Sequence, residues 1–241
     1  MDIAGSNNGL VNALPRKHRD RLLRACEPFE LVFGEVLSGA DKPYRHAYFP
    51  DSGQISLSSS ARGHKPLEMA IVGHEGMIGA TLVLGINASP MHAVVQGPGM
   101  AGQIPVASLQ RELRASASLR KLLNRYLYLQ LVELSLTSVC TRFHQIEERL
   151  ARWLLLTHDR VQSDHFHLTH EYLADMLGVR RSGITVAAGE LQARNLIQYS
   201  RGDITVLDRR GLEAASCDCY AALNGRQKRL LGAPSHRSGP S

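Results

Sequence analysis

The chain has 241 residues, of which 44% are hydrophobic and 21% are charged. This length exceeds one average domain, so we expect two domains of roughly 100 to 150 residues each. The composition is that of a globular protein and excludes global disorder. The net charge of +6 suits a polyanionic partner, but the excess of basic residues is spread evenly over the two halves and identifies no partner by itself.

The four cysteines, Cys26, Cys140, Cys217 and Cys219, are few and irregularly spaced. They do not form the dense framework of a secreted disulfide scaffold, so we expect a reducing, cytoplasmic environment. Residues 1–20 lack the apolar core of a signal peptide, and no segment approaches about 18 uninterrupted apolar residues. We therefore predict no membrane span.

From Phe29 to Pro105 the sequence consists of short apolar runs separated by glycine, proline and small polar residues. This pattern is typical of β-strands joined by turns. Ile55 and Leu57 alternate with polar neighbours, and the Pro-Asp-Ser-Gly of residues 50–53 lies between two such runs. We predict a sandwich or barrel of short strands here.

A long helical segment follows, because residues 109–156 contain no glycine or proline and are rich in leucine, arginine, glutamate and glutamine. Two apolar stripes recur at helical spacing, the first formed by Leu119, Leu122, Tyr126, Leu129, Leu136 and Cys140 and the second by Leu123, Leu127, Leu131 and Leu134. Two stripes need two covering surfaces. We predict that one packs on the β-domain and the other on the same helix of a second copy, with burial in a monomer core as the alternative.

Glu133 falls on the first stripe and would interrupt this seam. Residues 147–157, with Leu150, Trp153 and Leu154 at helical spacing, predict a further amphipathic helix.

The strongest functional signal lies in residues 168–207. Thr169 is a good N-cap for a helix that starts at His170, and Gly178 suits the left-handed turn that ends it. A second helix would start near Arg181, with Ile184, Ala187, Ala188 and Leu191 facing inward. Two short helices joined by a glycine turn predict a helix-turn-helix.

The second helix would offer its N-terminal side chains to a DNA major groove. Arg181 can read guanine, Ser182 and Thr185 supply small polar groups, and Val186 can contact a thymine methyl. Side chains and free N–H groups at the start of the first helix would meet phosphates. The predicted DNA-binding residues are Thr169, His170, Arg180, Arg181, Ser182, Thr185, Val186 and Arg201.

Residues 196–207 predict a β-hairpin with a glycine turn directly after this helix. A hairpin in this place is a wing, and Arg201 at its tip would contact the DNA backbone. The alternative is an ordinary α+β packing unit with exposed arginines. The agreement of turn, helix and hairpin favours the DNA reader.

This order of elements resembles the Crp/Fnr family of bacterial regulators over roughly residues 15–212. Residues 49–57 are similar to the strand-turn-strand of the family's sensor domain, and residues 168–197 align with its DNA reader without a gap. Where the best-known member reads bases with an Arg-Glu pair and a later Arg, this chain has Arg181, Ser182 and Val186, so its target sequence must differ.

The resemblance implies an α+β protein that acts as a sequence-specific transcription regulator. It has a β-sandwich or jelly-roll sensor-like domain of the cyclic-nucleotide-binding type in residues 1–112 and a dimerisation helix in residues 113–145. A winged helix-turn-helix in residues 146–223 and a disordered basic tail in residues 224–241 complete the chain. The implied partners are double-stranded DNA and a second copy, paired through residues 117–142, and RNA polymerase is a candidate third partner.

Family members that bind cyclic nucleotides resemble one another in a Gly-Glu-Leu and a later Arg-x-Ala-x-Val. Here the similar stretches are Gly-Ala-Thr at residues 79–81 and Met-His-Ala-Val-Val at residues 91–95, so both charged partners are missing. The loss of a buried arginine-phosphate pair costs about 3 kcal/mol or more, so cyclic AMP is not expected to bind. His92 is a possible replacement, but we interpret it as a structural histidine.

Iron-sulfur members of the family resemble one another in an N-terminal cysteine cluster, whereas Cys26 stands alone in residues 1–139. We therefore expect no cofactor of this kind and no catalytic residues.

One rival interpretation comes from a different class of protein. His165, His167 and Glu171 match part of a cupin metal motif and would make the chain a metalloenzyme. Glu171 falls inside a predicted helix, outside the β-region, which disfavours this alternative. The pairs His144/Glu147 and Cys217/Cys219 also have ligand-like spacing, but each lacks a second pair, so we predict no metal site.

Overall fold

Two antiparallel sheets form the N-terminal part of the protein, in a computed structural model that describes residues 5–232. The first sheet has the order β1-β7-β3, with β1 at Glu27–Leu31, β3 at His46–Pro50 and β7 at Gly99–Pro105. The second has the order β2-β6-β4-β5, with β2 at Val36–Ser38, β4 at Gln54–Ser59, β5 at Leu67–Val72 and β6 at His92–Gly97. The predicted β-domain is thus confirmed.

Side chains of both sheets share one hydrophobic core. Leu31, Ala47, Phe49, Ile55 and Ile104 are at most 2% exposed and belong to it. These residues come from strands of both sheets, so burying them together holds the two layers against each other.

Two helices that the sequence analysis does not predict precede the sheets, α1 (Gly9–Asn12) and α2 (Arg16–Arg24). The buried Asn8 caps α1, because its Oδ1 accepts hydrogen bonds from the backbone N–H groups of Leu10 and Val11. Its Nδ2 donates to the carbonyl oxygens of Pro50 and Gly76. One fully satisfied amide therefore starts the helix and attaches it to the β-domain.

The predicted helical region consists of three helices, α3 (Val106–Ala115), α4 (Ala117–Phe143) and α5 (Ile146–Val161). Ser116 separates the first two and caps α4 through its hydroxyl, which accepts from the N–H of Leu119. A second break lies at residues 144–145, where Glu148 accepts from the N–H of Gln145 at the start of α5. None of the described helices is long and apolar enough to cross a bilayer.

The two stripes of α4 are covered to different extents. Most of the first stripe is buried, and Glu133 within it is also buried because the Arg160 guanidinium of α5 lies 3.5 Å away. In the second stripe Leu123 belongs to the N-terminal core, whereas Leu131 is 60% exposed. The unpaired part of α4 is therefore its middle and C-terminal half.

The C-terminal part contains a small sheet of order β8-β10-β9 and four helices within the described residues. In chain order the elements are β8 (His165–His167), α6 (His170–Leu177), α7 (Arg181–Ala193), β9 (Ile197–Ser200), β10 (Asp203–Val206), α8 (Arg209–Ala215) and α9 (Asp218–Leu231). The prediction of a disordered tail from residue 224 is wrong up to residue 231, because α9 packs along α4 there, while residues 233–241 lie outside the described part.

A buried polar contact joins the β-domain to the C-terminal part. The Trp153 indole of α5 donates a hydrogen bond to the Glu68 carboxylate of β5. A register shift in the β4-β5 pairing lets Glu68 reach this helix, and Ile71 of the same strand belongs to the C-terminal core. Burial raises the pKa of Glu68 to about 7.

This raised pKa predicts a pH-dependent stability. The folded state favours the protonated carboxyl, so the stabilisation is complete below about pH 4.5 and declines as the pH rises through 7. Between about pH 5.5 and pH 8 we expect the free energy of unfolding to fall by roughly 2 kcal/mol more in the wild type than in Glu68→Gln. Urea titrations across this range measure the difference.

The matched control is Glu27→Gln, an exposed glutamate of β1. This variant should keep the wild-type dependence on pH. An identical pH profile for Glu68→Gln and the wild type would refute the assignment.

Candidate nucleic-acid interface

The turn between α6 and α7 has the geometry of a helix-turn-helix. Thr169 caps α6, and its hydroxyl accepts from the N–H of Tyr172 at 3.2 Å. Gly178 ends α6 in the left-handed conformation, with φ of 64°, and α7 begins three residues later. The N-cap and the glycine turn predicted from the sequence are both confirmed.

Helix α7 lies on the core with one face only. Its buried residues are Ile184, Ala187, Ala188 and Leu191, each at most 3% exposed. They pack in the same cluster as Leu150 and Leu154 of α5. Because these positions recur at i, i+3, i+4 and i+7, the opposite face of α7 must point to solvent.

The predicted base-reading residues all lie on that solvent face. Arg181, Ser182 and Thr185 are exposed, and the apolar side chain of Val186 is 60% exposed. Arg180, the N-cap residue of α7, is exposed as well. The exposed N-terminus of α7 therefore carries two arginines, small hydroxyl groups and one apolar contact.

His170 has a different position from the one expected of a phosphate ligand. Its ring stacks on Tyr199 of β9 with the centroids 4.1 Å apart, and its Nδ1 lies 3.1 Å from the Thr185 hydroxyl. That hydroxyl donates to the Arg181 carbonyl, so the ring nitrogen is assigned as the donor to Thr185. Burial and the charge of Arg181 lower the pKa of His170, which favours the neutral ring.

The histidine thus connects the start of α6, the first turn of α7 and the wing. Sequence reasoning missed the stacking partner, Tyr199. The alternation of residues in β9 predicts a strand, but no local pattern shows which ring faces a histidine nearly thirty positions earlier.

The predicted wing is the β9-β10 hairpin. Its turn holds Arg201 at φ of 50° and Gly202 at φ of 93°, which is the pattern of a type I′ turn. Arg201 is exposed at the tip. The imidazole of His167 packs 2.9 Å from the position that a Cβ on Gly202 would take, so this turn lies close on β8.

The stretches that resemble the cyclic-nucleotide site surround a small cavity in the β-domain. Gly79, Ala80 and Thr81 contribute to its wall, together with Met91 and Gln130. The volume of this cavity is about 20 Å³, which is enough for about one water molecule. The residues that line it include no charged side chain within the described part of the chain, and His92 is not among them.

The structure does not bring the cupin-like ligands together. The Glu171 carboxylate pairs with Lys65 at 3.3 Å, whereas His167 Nδ1 lies 3.0 Å from Asp203. Both histidines stand on β8 and the glutamate on α6. The metalloenzyme alternative therefore lacks its ligand set.

The prediction that Cys217 and Cys219 lack a second ligand pair is wrong. Cys140 and His144, at the end of α4, lie against them. The sequence analysis paired His144 with Glu147 and missed the i, i+4 spacing of Cys140 and His144, which puts both side chains on one face of a helix.

Comparison with known proteins agrees with this geometry. Residues 148–215 match the family model of the Crp-like helix-turn-helix domain. The match spans α5 through α8 and includes every predicted DNA-binding residue. Residues 148–215 therefore form a Crp-like helix-turn-helix domain. No curated protein matches the sequence.

Several solved structures of bacterial regulators share the fold of this chain over most of its length. A Crp/Fnr-family regulator from Eubacterium rectale is 17% identical, with a TM-score of 0.63, and the alignment covers 87% of this chain and 98% of that one. FixK2 from Bradyrhizobium japonicum is 15% identical with a TM-score of 0.68, at 80% and 98% coverage. A CRP/FNR-family regulator from Thermus thermophilus is 21% identical with a TM-score of 0.62, at 79% and 98% coverage.

Two glycine substitutions test the turn of the helix-turn-helix. A Cβ at Gly178 would meet Leu67 Cδ1 at 2.7 Å, and an alanine there would be strained in the left-handed conformation that the glycine adopts. We therefore expect Gly178→Ala to lower the free energy of unfolding by about 1–2 kcal/mol. Gly189 in α7 has open space around it, so Gly189→Ala should raise that free energy by about 0.5–1 kcal/mol. Denaturant titrations compare the two, and equal effects would contradict the geometry.

Proposed function

We propose that this protein is a sequence-specific, DNA-binding transcription regulator and not an enzyme. The observation that supports the proposal most strongly is the solvent-exposed N-terminus of α7 within a Crp-like helix-turn-helix domain. Arg181 would read guanine as a bidentate donor, and Ser182 and Val186 would contact neighbouring base edges. Thr169, Arg180 and Arg201 would bind phosphates on either side of the groove.

His170 and Thr185 take positioning roles in this proposal. Their contact holds the first turn of α7 against α6 and the wing. Because the lowered pKa of His170 favours a neutral ring, and the ring is partly covered, we assign it a role in positioning α7 and not in attracting phosphate by charge.

The regulator would act as a homodimer through α4. Leu127, Leu131, Leu134 and Ser138 follow one another at spacings of four, three and four residues, and none of them is buried. A two-stranded coiled coil covers residues with this spacing. Two copies of α7 would then reach successive major grooves, about 34 Å apart on a pseudo-palindromic site.

Its sensor domain would not respond to cyclic AMP. The cavity at the family's nucleotide position holds about one water molecule, and the side chains that line it include no cation for a phosphate. We also propose that the β-domain holds no iron-sulfur cluster. Cys26 is the single cysteine in the described part of this domain, and one thiolate cannot hold such a cluster. Contact with RNA polymerase stays a prediction of the family resemblance.

Arg181→Ala tests the base reader. A lost bidentate contact to guanine should reduce the discrimination at one base pair per half-site by about 1–3 kcal/mol. Selection of bound duplexes from a randomised pool, followed by binding titrations at fixed salt, measures this change. Arg24→Ala on α2 removes the same charge from an exposed position outside the domain and should leave the selected sequence unchanged. An unaltered preference in Arg181→Ala would remove this residue from the reader.

Leu131→Glu tests the dimer. A carboxylate on the unpaired face of α4 would be desolvated opposite its counterpart, so we expect the variant to be monomeric at concentrations where the wild type is dimeric. Sedimentation velocity measures the difference. Leu84→Glu is the control, since Leu84 is similarly exposed, at 57%, but lies on the 3₁₀ helix Ala80–Leu84 of the β-domain. A dimeric Leu131→Glu would place the interface elsewhere.

A further inference from the structure

Four side chains that commonly bind metal ions meet where α4 ends and α9 begins. Cys140 lies in the last turn of α4 and His144 is its C-cap residue, while Cys217 and Cys219 flank the start of α9. One ligand atom from each residue lies within 4.8 Å of all the others. The three cysteines are at most 5% exposed.

Two of the distances within this cluster match the edges of a small tetrahedron. The Cys140 and Cys217 sulfurs are 3.6 Å apart, and the Cys219 sulfur is 3.7 Å from His144 Nδ1. Zinc binds sulfur at about 2.3 Å and imidazole nitrogen at about 2.0–2.1 Å, so its tetrahedral ligands are roughly 3.5–3.8 Å apart. A disulfide needs sulfurs at about 2.05 Å, and a cluster of several irons needs ligands that are spread over more than one iron.

We propose that Cys140, His144, Cys217 and Cys219 bind one Zn²⁺ ion as a closed, structural Cys₃His site. All four ligands come from this chain, so no coordination position remains for a substrate or a catalytic water. The thiolate-rich set favours zinc over magnesium, calcium or manganese, which prefer oxygen ligands.

The surroundings of the cluster provide the supporting contacts that such a site needs. His144 directs Nδ1 at Cys219, and its Nε2 lies 3.5 Å from Asp218, which favours the tautomer with Nδ1 free for a metal. Three thiolates and one Zn²⁺ leave a net charge of −1, and the buried, positively charged Arg152 lines the same small cavity as Cys140.

The position of the site explains what the ion would do. The chain turns from α4 into α5 at residues 144–145, and α9 returns along α4 after the helix-turn-helix domain is complete. A metal ion there would fasten the end of the long helix to the helix that follows the DNA-binding domain. A bound ion at this place would restrict movement of the helix-turn-helix domain relative to α4, without a larger apolar contact between α9 and the end of α4.

The first test is metal analysis of the untagged chain. The protein is produced with zinc in the growth medium and purified under reductant. We expect inductively coupled plasma mass spectrometry to find about one zinc ion per chain. Replacing the zinc with Co²⁺ should produce the intense visible and near-ultraviolet bands of tetrahedral thiolate coordination. A chain that contains no metal and shows no such bands would overturn the proposal, as would an iron-sulfur spectrum or a Cys140-Cys217 disulfide as the sole product.

Variants identify the ligands. Cys217→Ser and His144→Ala should each lower the zinc content to less than about a fifth of the wild-type value, whereas Cys26→Ser, which alters a buried cysteine of the β-domain, should retain it. Zinc retained by both ligand variants would overturn the assignment. Metal content and Co²⁺ spectra need no DNA, so their outcome is independent of the proposed function.

A stability measurement covers variants that fold poorly. Removal of zinc from the wild type by a chelator should lower its Tm by about 5 °C or more, and re-addition should restore it. The chelator should not change the Tm of Cys217→Ser. An unchanged wild-type Tm would contradict a structural role for the ion.

Discussion

Burial of one face of α7 is the constraint on which the functional geometry depends. Ile184, Ala187, Ala188 and Leu191 fill the core of the C-terminal part, and helical periodicity then directs the side chains at the start of the helix outward. Two alanines among the four buried residues let α7 approach its neighbours closely. A polar residue at any of these positions would rotate or detach the helix and remove Arg181 from its place.

The two halves of the molecule are in direct contact near this helix. Trp153 reaches Glu68 of β5, and Leu67 of the same strand lies against Gly178 in the helix-turn-helix turn. Just before that strand, Lys65 pairs with Asp175 of α6 at 2.8 Å. The β4-β5 hairpin therefore touches the element that sets where α7 begins, which gives the β-domain a physical route to influence the DNA reader.

Elements that depend on local sequence could be predicted, and contacts between distant segments could not. The glycine turn at Gly178 and the period of α7 are local features, so the helix-turn-helix and its exposed residues follow from the sequence. Helix α1 depends on Asn8 bonding to residues more than forty positions away, and α9 depends on the side of α4 on which it packs. Their composition alone indicates a short polar segment and a basic tail.

The cluster of Cys140, His144, Cys217 and Cys219 could not be predicted for the same reason. The spacing of Cys217 and Cys219 was visible, but the second pair lies more than seventy residues earlier in the chain and meets the first only because α9 folds back on α4. Likewise, the sequence indicates His170 as a polar residue at a helix start, whereas its stacking on Tyr199 is visible only in the folded structure. Tertiary packing decides both assignments.

The central claim is that α7 enters the major groove of DNA in a dimeric regulator. Methylation protection of a duplex selected by the purified protein tests it most directly, because guanine N7 atoms are accessible in the major groove. We expect protected guanines in two major grooves on one face of the duplex, about one helical turn apart. Binding without sequence preference, or protection confined to the minor groove, would contradict it.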